Sequence, residues 1–322
     1  MQTFIQKILK KMSYKFRVTY YSLLITLFAL TLTSCEDVFQ LDIPKTEPFL
    51  VVEGTITNVA GDQVIKLTKS KTLTQEGIAE GVKNATVVVT DNAGKTYEFK
   101  DLTNTGKYVW KPAVSSEIMG AVGKTYSLEI KAEGETYRAV SELKRVPLID
   151  SIRFSFDDAN LRQSGDGKPN EGYDGRFYAT DLKGVGDCYR IKVYKNDRLY
   201  TGADRIVIAY DAIGNKSPFG DGLPFIRPLR IISTTELFKE NDKVRVELLS
   251  ITEAHFDFWI QLRTELNNTG LFATPAARIP SNINNINATS TKQAAGWFGT
   301  SAVSSMEIVV DKTKAVKEFA QE

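Results

Sequence analysis

Three side chains in this 322-residue chain carry a thiol or an imidazole, groups that can act as a catalytic nucleophile or base: Cys35, Cys188 and the single histidine, His255. A triad built on serine or cysteine needs an imidazole, so any such site would have to include His255. The sequence contains no GxSxG, HExxH or CxxC motif and no glycine-rich phosphate loop. We therefore expect no catalytic, cofactor-binding or metal-binding residues, and we interpret His255 and Cys188 as packed structural residues.

Carboxylates offer an enzymatic alternative, because glycoside hydrolysis requires only a pair of them. The acidic residues that we considered are Asp157, Asp158, Asp166, Asp174, Asp221 and Glu253. Acids in glycine-rich segments usually form solvated turns, and the sequence does not pair two of these residues. The segment 165–170, GDGKPN, lacks the regular oxygen spacing and the closing glutamate of a calcium loop. A hydrolase acting on glycans remains the enzymatic alternative.

The segment before Cys35 has the layout of a signal peptide. It begins with five basic residues and no acidic one, and residues 18–34 carry no charge. Leu32-Thr33-Ser34-Cys35 resembles the bacterial lipobox, in which a peptidase cuts before a cysteine that carries diacylglycerol. The uncharged run is short and no basic cluster follows it, which favours a cleaved leader over a permanent membrane-spanning helix. We predict that Cys35 becomes the acylated N-terminus, and the start stays open between Met1 and Met12.

Cleavage before Cys35 removes 34 of the 322 residues, leaves 288 and changes the charge balance. Removing the five basic residues of the leader from the total of 41 leaves 36 basic residues against 39 acidic ones, a net charge of −3. No remaining segment clusters Lys and Arg with aromatic residues, so we expect no nucleic-acid partner. With Cys35 acylated, Cys188 has no disulfide partner within the chain. Stability must then come from packed cores, and the length favours two domains.

The first part of the mature chain is predicted to be a β-sandwich. Seven segments concentrate Val, Ile, Thr and Tyr in short runs typical of strands: 49–56, 63–69, 85–91, 95–101, 106–112, 125–132 and 135–143. Connections that contain Gly94 and Gly134 have the length of hairpin turns. The order of these elements resembles small transthyretin-like or immunoglobulin-like domains.

Pro147 marks the predicted joint, because proline cannot donate to a strand ladder and makes the preceding residue extended. The strands predicted after it are 151–158, 188–197, 204–211, 229–236, 242–251 and 304–312, and residues 160–176 are predicted to form an exposed loop. One helix is predicted at 250–266, with a capping box formed by Ser250 and Glu253. Its apolar face consists of His255, Phe258, Trp259, Leu262 and Leu266.

The fold class predicted from these patterns is mainly β, with two β-sandwich-like domains. The first is transthyretin-like or immunoglobulin-like, and the second is β-rich with one helix near 252–266. The predicted divisions are a lipoprotein signal peptide at 1–34, a tether at 35–47, an N-terminal sandwich at 48–146, a C-terminal domain at 147–313 and a tail at 314–322.

Five apolar residues are candidates for a partner-binding surface: Phe219, Phe225, Ile226, Trp297 and Phe298. The first three lie in the proline-rich stretch 214–228, where a stiff backbone would hold aromatic side chains in place. The alternative is that this stretch folds back over an open sheet edge. Trp297 and Phe298, which lie between two glycines, form either an exposed platform or a wedge between the domains.

An ordered set of segments resembles the DUF4249 family of Bacteroidetes lipoproteins. The set consists of the lipobox with EDVF and LDIP, then FLVVEG, VPLIDSI, NDKVRVELLSITEAHFDFW, PSNINNIN and GWFGTSAVS. The family has no established activity, and its members are often encoded beside TonB-dependent receptors. The resemblance implies an outer-membrane lipoprotein that serves as accessory or ligand-binding partner of a TonB-dependent β-barrel transporter, on either the periplasmic or the cell-surface side. A surface adhesin or structural spacer is the non-enzymatic alternative.

Overall fold

The computed structural model describes residues 14–30, 47–71, 76–157, 171–233, 236–270, 273–275 and 277–319. The chain divides into two compact units, Met1–Thr46 and Glu47–Glu322. The described part of the first unit is helix α1, Tyr14–Leu30. Among the described residues, no helix combines the length and the apolar character needed to cross a membrane. The predicted acylation site, Cys35, lies outside the described residues.

The described residues of the second unit form mainly β-strands. Their bounds are β1 (Leu50–Thr57), β2 (Gln63–Lys69), β3 (Thr86–Asp91), β4 (Thr96–Phe99), β5 (Lys107–Trp110), β6 (Thr125–Ala132), β7 (Glu135–Glu142), β8 (Ile149–Asp157), β9 (Gly172–Ala179), β10 (Cys188–Lys195), β11 (Arg198–Leu199), β12 (Val207–Tyr210), β13 (Lys243–Ile251), β14 (Asn284–Asn285), β15 (Ala294–Ser301) and β16 (Val303–Val309). Two helices accompany them, α2 (Arg227–Arg230) and α3 (Glu253–Asn267). The predicted mainly β fold class is confirmed.

Strands β1 to β7 coincide with the seven strands predicted for the first sandwich. Side chains alternate between the core and solvent along β6 and β7, as the two-residue period of a strand requires. The hairpin between these strands turns at Glu133 (φ 52°) and Gly134 (φ 80°), the pair of positive φ angles that a tight hairpin turn needs.

The first sandwich is completed by a distant part of the chain. Its sheets have the orders β15-β1-β2-β5 and β14-β7-β6-β3-β4. β15 runs parallel to β1, from the pair Leu50 and Ala294 to the pair Thr57 and Ser301. The sequence analysis placed these C-terminal residues in the second domain, whereas Ala294 and Phe298 belong to the core of the first sandwich. The sequence could not predict this pairing. Strand β1 pairs with β2 along one edge, and strand periodicity does not reveal which distant segment pairs along its other edge.

The second sandwich packs the sheet β11-β10-β13-β16, with β12 also on β10, against the hairpin β8-β9. Two predictions for this region are wrong. Residues 172–176 of the predicted loop belong to strand β9, and the predicted strand 229–236 begins instead within the helical turn α2, with residues 231–233 outside any named strand. The described residues of 224–238 pair with the β9 segment as isolated bridges, Thr180–Pro224, Arg176–Ile231 and Tyr173–Phe238, and not as a continuous ladder. Pro224 before α2 and Pro228 within it cannot donate backbone hydrogen bonds to a ladder there.

The predicted helix is present as α3, but its N-terminus differs from the prediction. Thr252 caps the helix by accepting a hydrogen bond from the His255 N–H at 3.2 Å. Ser250 is still in β13, where its hydroxyl donates to the Lys144 carbonyl at 2.6 Å and accepts from the Ala302 N–H at 2.9 Å. The predicted Ser250 cap is therefore wrong, because a tertiary contact occupies its side chain. Leu266, assigned to the apolar face, is exposed.

The two sandwiches share one bent run of chain. β15 pairs in the first sandwich, β16 pairs in the second, and Ala302 alone separates them. At this bend, the outer face of the sheet that contains β15 meets the outer face of the sheet that contains β10. Each of these faces is the one opposite its own sandwich core. Helix α3 lies in this corner, contacting Trp297 of β15 on one side and Cys188 and Ile208 of the second sheet on the other.

Candidate functional site

The proline-rich stretch contains the most exposed of the candidate partner-binding residues. We call residues 216–226 the rim segment. Phe219 at its tip is 84% exposed, and Leu223 and Ile226 are exposed at 50% and 40%. A side chain as large as Phe219 at this exposure buries almost none of its apolar area within its own chain. The rim segment therefore presents apolar side chains at the protein surface.

The rim segment is held in place by hydrogen bonds to neighbouring loops. Pro218 opens a 3-10 turn in which the Ser217 hydroxyl accepts from the Phe219 N–H at 3.4 Å. Farther along, the Asp221 carboxylate accepts from the Gly184 N–H at 2.7 Å, and the Gly222 N–H donates to the Asp181 carboxylate at 3.0 Å. A loop fixed in this way loses little conformational entropy when a partner binds.

Phe225 has the opposite environment from Phe219, although only five residues separate them. It is 1% exposed and packs against Phe177 and Tyr189, with ring centroids 5.9 and 5.4 Å away. Its N–H donates to the Ala179 carbonyl of β9 at 3.1 Å. Phe225 is therefore a core residue and does not belong to the candidate surface. The stretch therefore combines the two alternatives drawn from the sequence. Its tip at Phe219 is exposed, and its second half, around Phe225, folds back over the edge of β9.

Trp297 and Phe298 are both buried, at 9% and 0% exposure. Successive strand residues point to opposite faces, so the two side chains leave β15 in opposite directions. Phe298 enters the core of the first sandwich, and Trp297 faces the corner occupied by α3. Neither ring forms an exposed platform, and Trp297 acts as the wedge that the sequence analysis offered as its alternative.

Four side chains in the corner form a stack that we call the aromatic column: Arg190, Trp259, His255 and Trp297. The Arg190 guanidinium lies 3.6 Å from the Trp259 ring centroid. The His255 ring stacks on Trp259 at 5.7 Å and on Trp297 at 5.2 Å, with interplanar angles of 29° and 12°. The column connects β10, α3 and β15, and therefore links the two sandwiches through α3.

His255 is enclosed so tightly that its neighbour must be glycine. A Cβ atom built on Gly299 would lie 2.7 Å from His255 Cε1 and 2.8 Å from Nδ1. Burial, together with the charges of Arg190 and Lys192, lowers the pKa of His255 to about 3, so the imidazole is neutral at pH 7. Its Nδ1 atom has no hydrogen-bond partner among the described residues. The structure thus places His255 in the packed interior that the sequence analysis expected.

Cys188 is also buried, at 2% exposure, and packs with Ile208, Ile251 and Phe256 under helix α3. Burial raises the pKa of its thiol to about 12. A thiol with this pKa is protonated at neutral pH, whereas nucleophilic attack and metal binding require the thiolate.

The carboxylates considered for hydrolysis do not converge in the described part of the chain. Three of them are held by different elements: Asp174 by Arg176 and Ser233, Asp221 by the Gly184 N–H, and Glu253 by Lys216. Asp157 ends β8, and Asp158, Asp166 and the weak calcium-loop segment 165–170 lie outside the described residues. No group of three or more possible metal ligands occurs among the described residues.

Two other carboxyl groups, Asp181 and Asp211, have pKa values raised by burial. Asp181 accepts a hydrogen bond from the Tyr189 hydroxyl at 2.6 Å, and Asp211 accepts from the Gly186 and Asp187 N–H groups at 2.9 Å each. These bonds organise the loops beneath the rim segment. The sequence analysis did not single them out, and no local motif distinguishes them from ordinary turn acids.

The sequence analysis also missed Arg190 and Lys192. Both residues lie in the predicted strand 188–197, in which every second residue shares a face. The strand pattern could not indicate that Trp259, 69 positions away, covers the guanidinium of Arg190.

Among solved structures, the chain is similar to a two fibronectin type-III domain segment from chicken tenascin. The identity is 11%, over 64% of this chain and 91% of that chain, and the TM-score is 0.19. A likeness at this TM-score carries no argument about fold or function. No curated protein matches the chain.

The family model described as "Domain of unknown function (DUF4249)" matches residues 36–307. The match begins directly after Cys35 and includes both sandwiches, helix α3 and the bent run that joins the sheets. The resemblance drawn from the ordered motifs is therefore confirmed, and the chain belongs to the DUF4249 family.

Proposed function

We propose that this chain is a non-enzymatic binding protein, anchored in the outer membrane through an acylated Cys35, that works as an accessory of a TonB-dependent β-barrel transporter. The observation that carries the proposal is the exposure of Phe219, at 84%, on a rim segment that is fixed from both sides. Large aromatic side chains on rigid supports are the residues that most often dominate binding energy at protein interfaces.

The rim segment has the composition of such an interface. Phe219, Leu223 and Ile226 supply apolar area, and the exposed Val185 lies beside Gly184, which is bonded to the rim at Asp221. Lys216, the first residue of the segment, forms ion pairs with Glu253 and Asp257 of α3. An apolar centre with a charged border is the usual arrangement of transient interfaces.

A lipid anchor would make a modest interface sufficient. Acylation of Cys35 would confine the chain to the plane of the membrane, and so would raise its effective concentration toward integral proteins. Replacing Cys35 with Ala is expected to abolish fatty-acid labelling and to leave an uncleaved precursor. Normal labelling of that variant would contradict the anchor.

The interface is tested by affinity purification of the full tagged chain from native membranes, with identification of the co-purified β-barrel receptor by mass spectrometry. The variant Phe219→Ser with Leu223→Ser should recover much less receptor than the wild type. Leu102→Ser is a matched control, because Leu102 is 74% exposed in the first sandwich. Equal recovery by the rim variant, or no receptor with the wild type, would show that the proposed partnership is wrong.

A further inference from the structure

The aromatic column ends at Arg190, and Arg190 and its neighbour Lys192 form a pair of cations without a counter-ion among the described residues. Arg190 and Lys192 alternate on the same face of β10, so their Cα atoms lie about 7 Å apart. In the described part of the chain neither side chain forms an ion pair, and the Arg190 Nε atom is buried without a hydrogen-bond partner. Both residues are only partly accessible to solvent. A desolvated cation without a counter-ion costs free energy, so a pair of them calls for an explanation.

The neighbouring carboxylates do not neutralise the positive charges of Arg190 and Lys192. Glu247 lies opposite Lys192 on β13, but Arg245 and the Tyr194 hydroxyl, at 2.9 Å from Glu247, already engage it. Glu53 on β1 is exposed and acts on both cations only from beyond ion-pair distance. Its partner across the strand ladder is Trp297, which places Glu53 on the other side of the same corner.

Arg190 is held in position before any ligand arrives. Its guanidinium stacks on Trp259, whose other neighbours in the column are His255 and then Trp297. A stacked guanidinium keeps its edge free to donate to an oxyanion, usually through two parallel hydrogen bonds. The neutral imidazole of His255 adds no positive charge to compete for the ligand. Arg190 keeps its charge at neutral pH, because burial lowers its pKa only to about 10. Burial, together with the charge of Arg190, also lowers the pKa of Lys192.

We infer that Arg190 and Lys192 form a binding site for an oxyanion, such as the carboxylate of an acidic sugar or an inorganic phosphate or sulfate, in the corner between the two sandwiches. Arg190 supplies the fixed fork of N–H donors, and Lys192 supplies the flexible ammonium group. Trp259 positions the guanidinium, and both Trp259 and Trp297 lie in the column beneath it. This site is separate from the rim segment and does not depend on the partner proposed for it.

The direct test is titration of the full chain, in detergent, with sodium glucuronate, phosphate and sulfate at constant ionic strength balanced by chloride. Tryptophan fluorescence is a suitable signal, because two of the three tryptophans, Trp259 and Trp297, belong to the column. We expect saturable binding, weakened at least tenfold by Lys192→Met and by Arg190→Met. Lys107→Met is the matched control, since Lys107 is an exposed strand lysine of the first sandwich, and it should bind as the wild type does.

Glu53→Gln separates ligand binding from a purely structural role of the cations. If they form an oxyanion site, loss of the opposing carboxylate should tighten binding severalfold without lowering the melting temperature. If Glu53 is instead their structural counter-ion, the variant should melt at a lower temperature and show unchanged affinity, which would overturn the inference. If Arg190→Met does not fold, the loss of anion affinity is measured with Arg190→Lys and Lys192→Met instead.

The choice of anion identifies the source of the ligand. Binding of glucuronate alone would indicate an acidic sugar, and equal binding of phosphate and sulfate would indicate that the site recognises the oxyanion itself. Responses no greater than those to chloride would overturn the inference. So would unchanged affinity in Lys192→Met, because an anion bound elsewhere would not be sensitive to that residue.

Discussion

The aromatic column and the rim segment use aromatic side chains in opposite ways. In the column, Trp259, His255 and Trp297 are stacked between sheets, and Trp297 is 9% exposed. In the rim segment, Phe219 is 84% exposed, and its backbone N–H donates to the Ser217 hydroxyl while its ring stays outside the core. The comparison teaches that substitutions in the column should change folding stability, whereas substitutions at the tip of the rim should change binding alone.

The largest expected effect is that of Trp297→Ala. Removing a buried indole leaves a cavity between α3 and β15, and such changes typically cost about 3–5 kcal/mol of unfolding free energy. Phe219→Ala removes an aromatic ring of comparable type from an exposed position and should change stability by less than about 0.5 kcal/mol. Chemical denaturation of both variants measures the difference. Similar losses for the two would break the distinction between column and rim.

A smaller loss is expected from adding a methyl group to the column. Gly299→Ala would place its Cβ within 3 Å of the His255 ring, which cannot move away because it is stacked on both sides. Forced overpacking of this kind costs about 1–3 kcal/mol. Gly94→Ala tests the same substitution where a Cβ meets no neighbour, although its φ of 84° adds local strain. A Gly299→Ala protein as stable as the wild type would show that the column is loosely packed.

The neutral imidazole of His255 predicts how stability depends on pH. Its folded pKa of about 3 lies below the ordinary value of 6.5, so between these values the unfolded chain binds one more proton than the folded chain. That contribution to stability is complete above pH 6.5 and is lost as the pH falls toward 3. Between pH 7.5 and pH 5 the loss amounts to about 2 kcal/mol.

His255→Gln removes this proton uptake and should also lower stability at neutral pH, because a packed ring is lost. Denaturation of both proteins at pH 7.5 and pH 5 isolates the effect, since carboxylates titrate equally in the two. The wild type should lose about 2 kcal/mol more than the variant over this interval. Parallel losses would mean that the folded protein protonates His255. Selective loss of partner binding at unchanged stability would instead assign His255 a functional role.

The smallest expected effect concerns the attachment of the rim segment to α3. Lys216 is 41% exposed and contacts Glu253 and Asp257 at 2.7 and 2.9 Å, and these contacts raise its pKa. Ion pairs at this exposure contribute about 1 kcal/mol at most, because solvent screens them. Lys216→Met should therefore shift the unfolding midpoint only slightly, and less at high salt. A loss above 2 kcal/mol would mean that the rim is an integral part of the second core.

The strands of the first sandwich could be predicted closely because their patterns are local. β2, at Gln63–Lys69, and β6, at Thr125–Ala132, have the predicted bounds, and β6 has the two-residue alternation of a half-buried strand. The stretch around α2 was predicted poorly. Its Leu and Ile residues match a strand pattern, but Pro224 and Pro228 limit its pairing with β9 to single bridges.

Composition, short-range periodicity and ordered motifs were enough to predict the mainly β class, the family, helix α3 and the buried positions of His255 and Cys188. The pairing of β15 with β1, the burial of Phe225 beside the exposed Phe219, and the stacking of Arg190 on Trp259 became apparent only in the folded chain. Each of these depends on contacts between residues distant in the chain or on which side of a loop meets a sheet edge. Local patterns specify which residues can be buried, but not which partners bury them.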